Sequence, residues 1–225
     1  NDLTAGTLYC FNWTNTAALS VKSSATSTNS GSVTTRDGTT ATIDTGNYAT
    51  ASLTDEQIVV TATVPQTFSF ALSGNTDPLG TLSTGSVNAS PTPRVVTVGT
   101  NAKNGWYAWA KDANTGLNSA SAVYTVASTT PGTNSTLSAG SEGYNMGVTT
   151  SNGTGTGTVS ATTPFVGGST GRGGGLDTAL RTIATSNGTN DGATLTLTNN
   201  VTISSITPAA TDYTDTITVV GAGLF

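Results

Sequence analysis

The chain alternates apolar residues with Thr and Asn in the stretch TLTLTNNVTIS, residues 194–204. Successive side chains of a β-strand point to opposite faces of the sheet, so residues of one parity share a face. The apolar side chains of this stretch share one parity, and they are Leu195, Leu197, Val201 and Ile203. The other parity is mostly Thr, which favours strands through its branched Cβ while water satisfies its hydroxyl. The stretch therefore predicts a strand with one face in a core and one in water.

Similar runs recur at short intervals, and each is closed by Gly, Asn, Asp or Pro. They predict strands at residues 57–64, 67–72, 94–100, 105–111, 121–126, 194–204 and 213–220. In the last run Tyr213, Ile217 and Val219 share one parity. Many short strands separated by turn residues are typical of a sandwich or barrel. We expect an all-β fold, an immunoglobulin-like or jelly-roll-type β-sandwich with at most one short helix.

One stretch departs from the strand pattern. Leu176, Ala179, Leu180 and Ile183 have helical spacing, with glycines before them and Ser186 to Gly188 after. This spacing predicts one short helix or turn. The glycine run at 171–175 lacks the Lys of a phosphate-binding loop and predicts a flexible connection. Residues 128–140 and 151–157 are predicted to be exposed loops.

The composition favours a folded protein with few charges. Thr, Ser and Asn make up about two-fifths of the 225 residues, 35% are hydrophobic and only 8% are charged. The net charge of −5 comes from seven basic and twelve acidic residues without a basic run, so no nucleic acid or anionic membrane is expected as a partner. Every apolar stretch is far shorter than the roughly 20 residues of a membrane helix. We expect no membrane insertion of the mature chain.

Two features suggest that the protein is secreted. The chain begins at Asn1 rather than Met, as it would after removal of a signal peptide. Six Asn residues stand in the Asn-x-Ser/Thr pattern of N-glycosylation, which is found on surfaces of secreted proteins. These candidates are Asn12, Asn88, Asn134, Asn152, Asn187 and Asn200. We expect an extracellular, cell-surface location, with glycans as permitted partners.

The residue inventory argues against an enzyme. The chain has no His, which removes the Ser-His-Asp triad and most metal and haem chemistry. Asp55 and Glu56 are adjacent, so on a strand they point to opposite faces and make a poor glycosidase pair. Cys10 is the sole cysteine, which excludes an intrachain disulfide, and we expect it to be a small buried hydrophobe. No catalytic residue, cofactor or metal is predicted.

Two weak binding motifs have simpler structural interpretations. Asp112-Ala-Asn-Thr-Gly and Asn190-Asp-Gly carry oxygen ligands that calcium accepts, but Asn, Asp and Gly are also turn residues, and a turn is favoured. Trp106, Tyr107 and Trp109 suggest an aromatic platform for sugars. On a strand Trp106 faces away from the other two, so at least one side belongs in a core.

A longer set of segments resembles a known class of surface proteins. It comprises VPQTFSFAL at 64–72, LGTLSTG at 79–85, TNAKNGWYAWA at 100–110, Gly116-Leu, LRTIATS at 180–186 and DYTDTITV at 212–219. The pattern is similar to secreted Thr/Ser-rich β-sandwich surface proteins of uncultivated bacteria and archaea. The shorter YTDTITV at 213–219 resembles the C-terminal strand of spore-coat-U-like domains, which include archaic chaperone–usher pilins. This resemblance implies an immunoglobulin-like sandwich and adhesive or filamentous use.

From these observations we expect a structural subunit of an extracellular filament or pilus-like homopolymer, with identical subunits as its partners. The alternative is a monomeric adhesin or carbohydrate-binding β-sandwich. Residues 1–16 are the predicted donor strand, which would complete a neighbour's sheet, and residues 17–225 the predicted sandwich. The apolar residues of this segment fall on both parities, as they must in a strand inserted between layers; the candidates are Leu8, Cys10, Phe11 and Trp13. An ordinary first strand remains the competing interpretation.

Overall fold

The computed structural model describes Thr4 and residues 6–10, 29–50 and 58–225. The chain forms two compact units, Asn1–Thr63 and Val64–Phe225. Residues 11–28 and 51–57 lie outside the described part, so the predicted boundary between residues 16 and 17 stays a prediction.

The first unit contains an antiparallel hairpin of β1 (Asn29–Arg36) and β2 (Thr42–Thr50). Its turn is held by Asp37, whose Oδ1 accepts hydrogen bonds from the backbone N–H of Thr39 and of Ala41, both at 2.9 Å. Across the hairpin the hydroxyls of Thr34 and Thr45 lie 3.2 Å apart. Cross-strand Thr pairs of this kind stabilise a strand pair modestly.

The second unit is a set of antiparallel strands. Their bounds are β3 (Phe68–Leu72), β4 (Asn88–Ala89), β5 (Arg94–Thr100), β6 (Trp106–Lys111), β7 (Gly116–Ser119), β8 (Tyr124–Ala127), β9 (Asn134–Thr136), β10 (Gly143–Ser151), β11 (Val159–Ala161), β12 (Arg172–Gly174), β13 (Arg181–Ser186), β14 (Asn190–Thr202) and β15 (Thr218–Gly223). One 3-10 turn, Thr163–Phe165, follows β11. None of the described residues forms a helix long and apolar enough to cross a bilayer.

The strands form two principal sheets. The large sheet has the order β3-β5-β14-β10-β12-β9, with β4 also paired to β14. The small sheet has the order β11-β13-β6-β15, and β7 and β8 form a separate hairpin. The inner faces of the two sheets meet in one apolar core, which makes the unit a β-sandwich. The all-β prediction is confirmed.

The core draws on alternate residues of the central strands. Its fully buried members include Val96 and Leu195 from the large sheet and Trp106 and Ile183 from the small sheet. A smaller cluster of Leu117, Val126, Tyr144 and Val201 lies apart from it. The parity prediction for residues 194–204 is confirmed for the core face, since Leu195, Leu197 and Val201 are all buried. It was wrong for the other face, because Asn200 and Thr202 are buried as well.

Four of the predicted strands match the structure closely. Residues 94–100 match β5, and residues 67–72, 105–111 and 194–204 match β3, β6 and β14 within a few residues. The prediction for 213–220 was only partly right, because β15 begins at Thr218. Tyr213 instead packs against the smaller cluster, and its hydroxyl donates to Pro208 O at 2.8 Å.

Three local predictions were wrong and a fourth was partly right. Residues 58–64 form no strand. The short helix or turn predicted at 176–183 is a bend at residues 178–179 rather than a helix, and it leads into β13, where Ile183 points into the core. The loop predicted at 128–140 contains β9, which forms the edge of the large sheet beyond β12. The flexible connection predicted at 171–175 is wrong as well, because β12 lies there and pairs with both β9 and β10.

Candidate functional site: an open edge at β3 and β15

The sandwich has an open edge where the outermost strands of both sheets lie together. β3 pairs only with β5 and β15 only with β6 among the described residues. The two strands contact each other across the sandwich through the rings of Phe68 and Phe70 and the backbone of Gly221. We call this pair of strands the open edge.

In β15 the backbone N–H and C=O groups of alternate residues point away from β6. The backbone polar groups of Leu224 point towards the β6 side, because its N–H donates to Gly105 O at 2.8 Å and its C=O accepts from Asn104 N at 3.2 Å. In an antiparallel ladder the N–H and C=O of one residue point the same way, and the direction alternates along the strand. The polar backbone groups of Val219, Gly221 and Gly223 therefore point away from β6, off the edge of the small sheet.

The same reasoning orients β3. Ser73 N donates to Val95 O at 2.8 Å, and Asn101 N donates to Thr67 O at 3.4 Å, so the odd-numbered residues face β5. The backbone groups of Phe68, Phe70 and Leu72 consequently point off the edge of the large sheet. Within the described part of the chain, both sheets thus have backbone donors and acceptors without a partner on the same side of the sandwich.

Glycine allows the two edge strands to approach closely. A Cβ added at Gly221 would lie 2.5 Å from Phe70 Cδ2, and one added at Gly223 would lie 3.1 Å from Phe68 Cδ2. The small sheet therefore accommodates the two phenylalanine rings only because these positions carry no side chain. Phe68 and Phe70 remain half-buried, and Leu72 is exposed.

The open edge lacks the features that usually protect a sheet edge. Natural edge strands carry charged residues, Pro or bulges that discourage pairing with another chain. β3 has the sequence FSFAL and β15 the sequence TVVGAG, neither of which contains a charge or a proline. Their ladders with β5 and β6 also run without a register shift. This edge is suited to accept another strand.

Residues 58–64, with the sequence IVVTATV, are the most exposed apolar stretch among the described residues; we call them the apolar segment. Ile58 is 91% exposed, Val60 86% and Val64 79%. After it, Pro65 and Thr67 are tied to the sandwich through Asn101, whose Nδ2 donates to Pro65 O at 2.7 Å and whose Oδ1 accepts from Thr67 N at 2.9 Å. The sequence pattern predicted an ordinary strand at these residues and did not predict that their side chains are exposed.

The predicted donor strand is only partly described. Leu8 is 90% exposed and Cys10 is exposed, whereas Phe11 and Trp13 lie outside the described residues. The expectation that Cys10 is buried was wrong, because it rested on a strand in the core and residues 7–10 form no strand. The assignment of residues 1–16 as the donor stays a prediction.

The aromatic residues of β6 divide between the two faces, as expected. Trp106 is fully buried, and its Nε1 donates to Asn190 Oδ1 at 2.8 Å. Tyr107 and Trp109 stack on the outer face with ring centroids 5.7 Å apart and planes 19° apart. Beside Tyr107 lies a shallow cleft of about 340 Å³, lined by polar residues that include Thr185 and Asn187.

The two calcium-like motifs hold the fold together by hydrogen bonds. Asp112 Oδ1 accepts from Thr115 N at 2.7 Å, as in the predicted turn, and Oδ2 accepts from Ser128 Oγ at 3.2 Å. Asn190 is buried and donates from Nδ2 to the carbonyls of Asn152 and Gly157, at 2.9 and 3.0 Å. Both side chains therefore have structural partners.

Two carboxyl groups near the last strands have opposite pKa shifts. Burial, with the neighbouring charge of Asp112, raises the pKa of Asp215. Hydrogen bonds from Ser119 and Ser121 hold the pKa of Asp212 well below its usual range. Burial, followed by the charge of Asp215, raises the pKa of Tyr144. Through its bonds to Ser119 and Ser121, Asp212 anchors the chain that precedes β15.

The predicted glycosylation sites differ in accessibility. Asn152 and Asn187 are exposed, and their Oδ1 atoms accept backbone hydrogen bonds while no partner is found for either Nδ2 in the described residues. The Nδ2 atoms of Asn88 and Asn134 donate to backbone carbonyls. Asn200 is 1% exposed and donates to Asn145 Oδ1, so a glycan there is incompatible with this fold. Asn12 lies outside the described residues.

Comparisons with protein-family models, curated proteins and solved structures found no match for this chain.

Proposed function

We propose that this protein is a non-enzymatic structural subunit of an extracellular filament or pilus-like homopolymer, assembled by addition of a β-strand from one copy to the sandwich of the next. The observation that carries the proposal is the open edge, where the described residues supply no partner for the outer backbone groups of β3 and β15 and neither strand contains a charge or proline.

Energetics support a polymer over a solitary sandwich. An uncharged edge with unpaired backbone groups is an aggregation hazard for a soluble monomer. Ordered addition of a strand satisfies those groups with main-chain hydrogen bonds and removes the hazard. The apolar segment would leave water in the same step, since burial stabilises by about 25 cal/mol for each Å² of apolar surface.

The cell-surface location has compositional support. The Thr-rich surface carries few charges, and the exposed sequons at Asn152 and Asn187 are open to glycans. Fractionation of the producing cells tests this part of the proposal, because a surface filament is released by shearing. Recovery of the protein only from the cytosol would contradict it.

Negative-stain microscopy of the purified full chain, combined with light scattering over a concentration series, tests assembly. The proposal predicts fibres of uniform width above a critical concentration. Particles that stay monomeric at every concentration would refute it.

The stacked pair of Tyr107 and Trp109 favours a second candidate, a carbohydrate-binding β-sandwich or adhesin. Exposed aromatic rings present an apolar face together with polar groups, which suits sugar stacking. Titration with a panel of soluble oligosaccharides, monitored by tryptophan fluorescence, tests this candidate. It predicts saturable quenching that is lost in Tyr107→Ala.

A further inference from the structure

We infer that the apolar segment, residues 58–64, is the strand that adds to the β15 side of the open edge in a second copy of this chain. The inference rests on the proposed homopolymer and names its donor and its acceptor.

The apolar segment has the length that β15 requires. Seven extended residues span about 23 Å at roughly 3.3 Å per residue, and the six residues of β15 span about 20 Å. No backbone hydrogen bond is found for the segment within the described residues. As far as the described residues go, its own N–H and C=O groups are without a partner.

The side-chain pattern of the segment matches the two environments beside β15. Ile58, Val60, Ala62 and Val64 share one parity and are all apolar, whereas Val59, Thr61 and Thr63 share the other. A strand placed beside β15 turns one parity inward, over the exposed sides of Phe68, Phe70 and Leu72. The wholly apolar parity fits this inner position.

The side chains of the other parity, Val59, Thr61 and Thr63, fit the outer face of the small sheet. There β15 exposes Thr218, Val220 and Ala222. Val220 pairs with Trp109 across the ladder with β6. Outward-facing Val59 and Thr61 would extend this face with residues of the same character.

β15 is a better acceptor than β3. A strand added to β3 would direct its inner side chains towards Gly221 and Gly223, which the rings of Phe70 and Phe68 already cover. A strand added to β15 instead covers apolar surface that is still exposed. No charged group on either element opposes the docking, because residues 58–64 and β15 are both uncharged.

Cysteine pairs in the full chain test donor, acceptor and orientation together. All variants carry Cys10→Ser, and each combines Val220→Cys with one further cysteine in the apolar segment. The test variants place it at an outward position, with Val59→Cys, Thr61→Cys or Thr63→Cys. The matched controls place it at an inward position, with Val60→Cys or Ala62→Cys. Opposed residues on one sheet face have Cβ atoms about 4.5–5.5 Å apart, which mild oxidation can bridge after small adjustments. We expect a ladder of covalent oligomers from at least one outward position and none from the inward controls.

A second variant measures the contribution of the segment to assembly. Val60→Asp places a charge on the inward parity, and we expect the critical concentration to rise more than about tenfold. Ile206→Asp is the control, because Ile206 is 83% exposed and lies outside the open edge. Both substitutions are at exposed positions, so the melting temperature of the monomer should stay within about 2 °C of wild type.

The outcomes separate the inference from the proposed function. Fibres that form from Val60→Asp at the wild-type concentration overturn the inference and leave the filament intact. The same holds if the segment cysteines form cross-links when they are combined with Ala71→Cys on β3 but not with Val220→Cys. Loss of assembly only on deletion of residues 1–16 also overturns it and assigns the donor to the N-terminus. A wild-type chain that forms no fibres refutes the filament and the inference together.

Discussion

The ring of Phe70 occupies the space that a side chain at residue 221 would fill. A Cβ on Gly221 would meet Phe70 Cδ2 at 2.5 Å and Cε2 at 2.6 Å. Phe70 belongs to the edge strand of the large sheet and Gly221 to the edge strand of the small sheet, so this contact sets the spacing of the two edge strands. The site proposed to receive a second subunit therefore depends on the Phe70 ring and on the absence of a side chain at Gly221.

Gly221→Ala should destabilise the sandwich by about 1–3 kcal/mol, since Phe70 must shift to relieve the overlap. Urea unfolding measures the loss. Gly85→Ala is the matched control, because its Cβ would meet only Ser83 Oγ at 3.8 Å and should change the free energy of unfolding little. Equal effects of the two substitutions would mean that the Phe70 contact is not tight.

Asn190→Ala should cost roughly 2–4 kcal/mol in the free energy of unfolding, because it removes the acceptor of Trp106 Nε1 in a buried place. The carbonyls of Asn152 and Gly157 lose their donor in the same step. Asn114→Ala, at an exposed turn residue, should stay within about 0.5 kcal/mol of wild type. A comparable loss from both substitutions would contradict a special role for Asn190.

Asp215→Asn should stabilise the protein at pH 7 and have little effect at pH 3. The pKa of Asp215 is raised in the folded state, so its carboxyl group keeps the proton to a higher pH in the folded chain than in the unfolded chain. The free energy of unfolding therefore falls as pH rises through the range above 3.8. Removing the ionisable group removes that loss, and we expect the melting temperature to rise at pH 7. A lower melting temperature at pH 7 would contradict the raised pKa.

Asp212→Asn should have the opposite sign. The pKa of Asp212 is lowered in the folded state by hydrogen bonds from Ser119 and Ser121, so its carboxylate stabilises the fold above about pH 4, and this stabilisation fades as pH falls further. Melting curves at pH 7 and pH 3 should show destabilisation that is larger at pH 7. Stabilisation at pH 7 would contradict the assigned hydrogen bonds.

Glycan mapping by peptide mass spectrometry on protein from the native source should find Asn200 unmodified. Its side chain is buried and donates to Asn145. Among the described sequons, Asn152 and Asn187 are expected to carry any modification, because they are exposed and their Nδ2 atoms are accessible. A glycan on Asn200 would require the centre of β14 to open.

The sequence predicted those strands whose two faces differ in polarity. In β14 the buried residues Leu195 and Leu197 alternate with Thr, and in β6 buried Trp106 alternates with the outward pair of Tyr107 and Trp109. Period-two alternation carries this information directly. The all-β class and the division of the aromatic residues could therefore be derived without a structure.

Other elements could not be predicted, because their patterns are ambiguous. β13 has apolar residues that, taken with Leu176, match a helical period, and only its pairing with β6 determines the strand. The apolar segment has the composition of a strand but no partner among the described residues. Strand pairing is non-local, so the position of β3 and β15 at an edge could not be deduced from the residues alone.

The open edge still had a detectable signal. Both FSFAL and TVVGAG lack charge and proline, whereas edge strands usually carry one or the other. That absence is informative only once the sheet order is known, because a central strand shows the same composition. Sequence and topology were both needed to identify the candidate site.

Electron cryo-microscopy of fibres grown from the full chain tests the central claim most directly. The account predicts an added strand beside β15, contributed by a second copy, with main-chain hydrogen bonds to Val219, Gly221 and Gly223 and with apolar side chains covering Phe68 and Phe70. Fibres in which the edge of β15 remains open to solvent, with subunits joined through another surface, would contradict it.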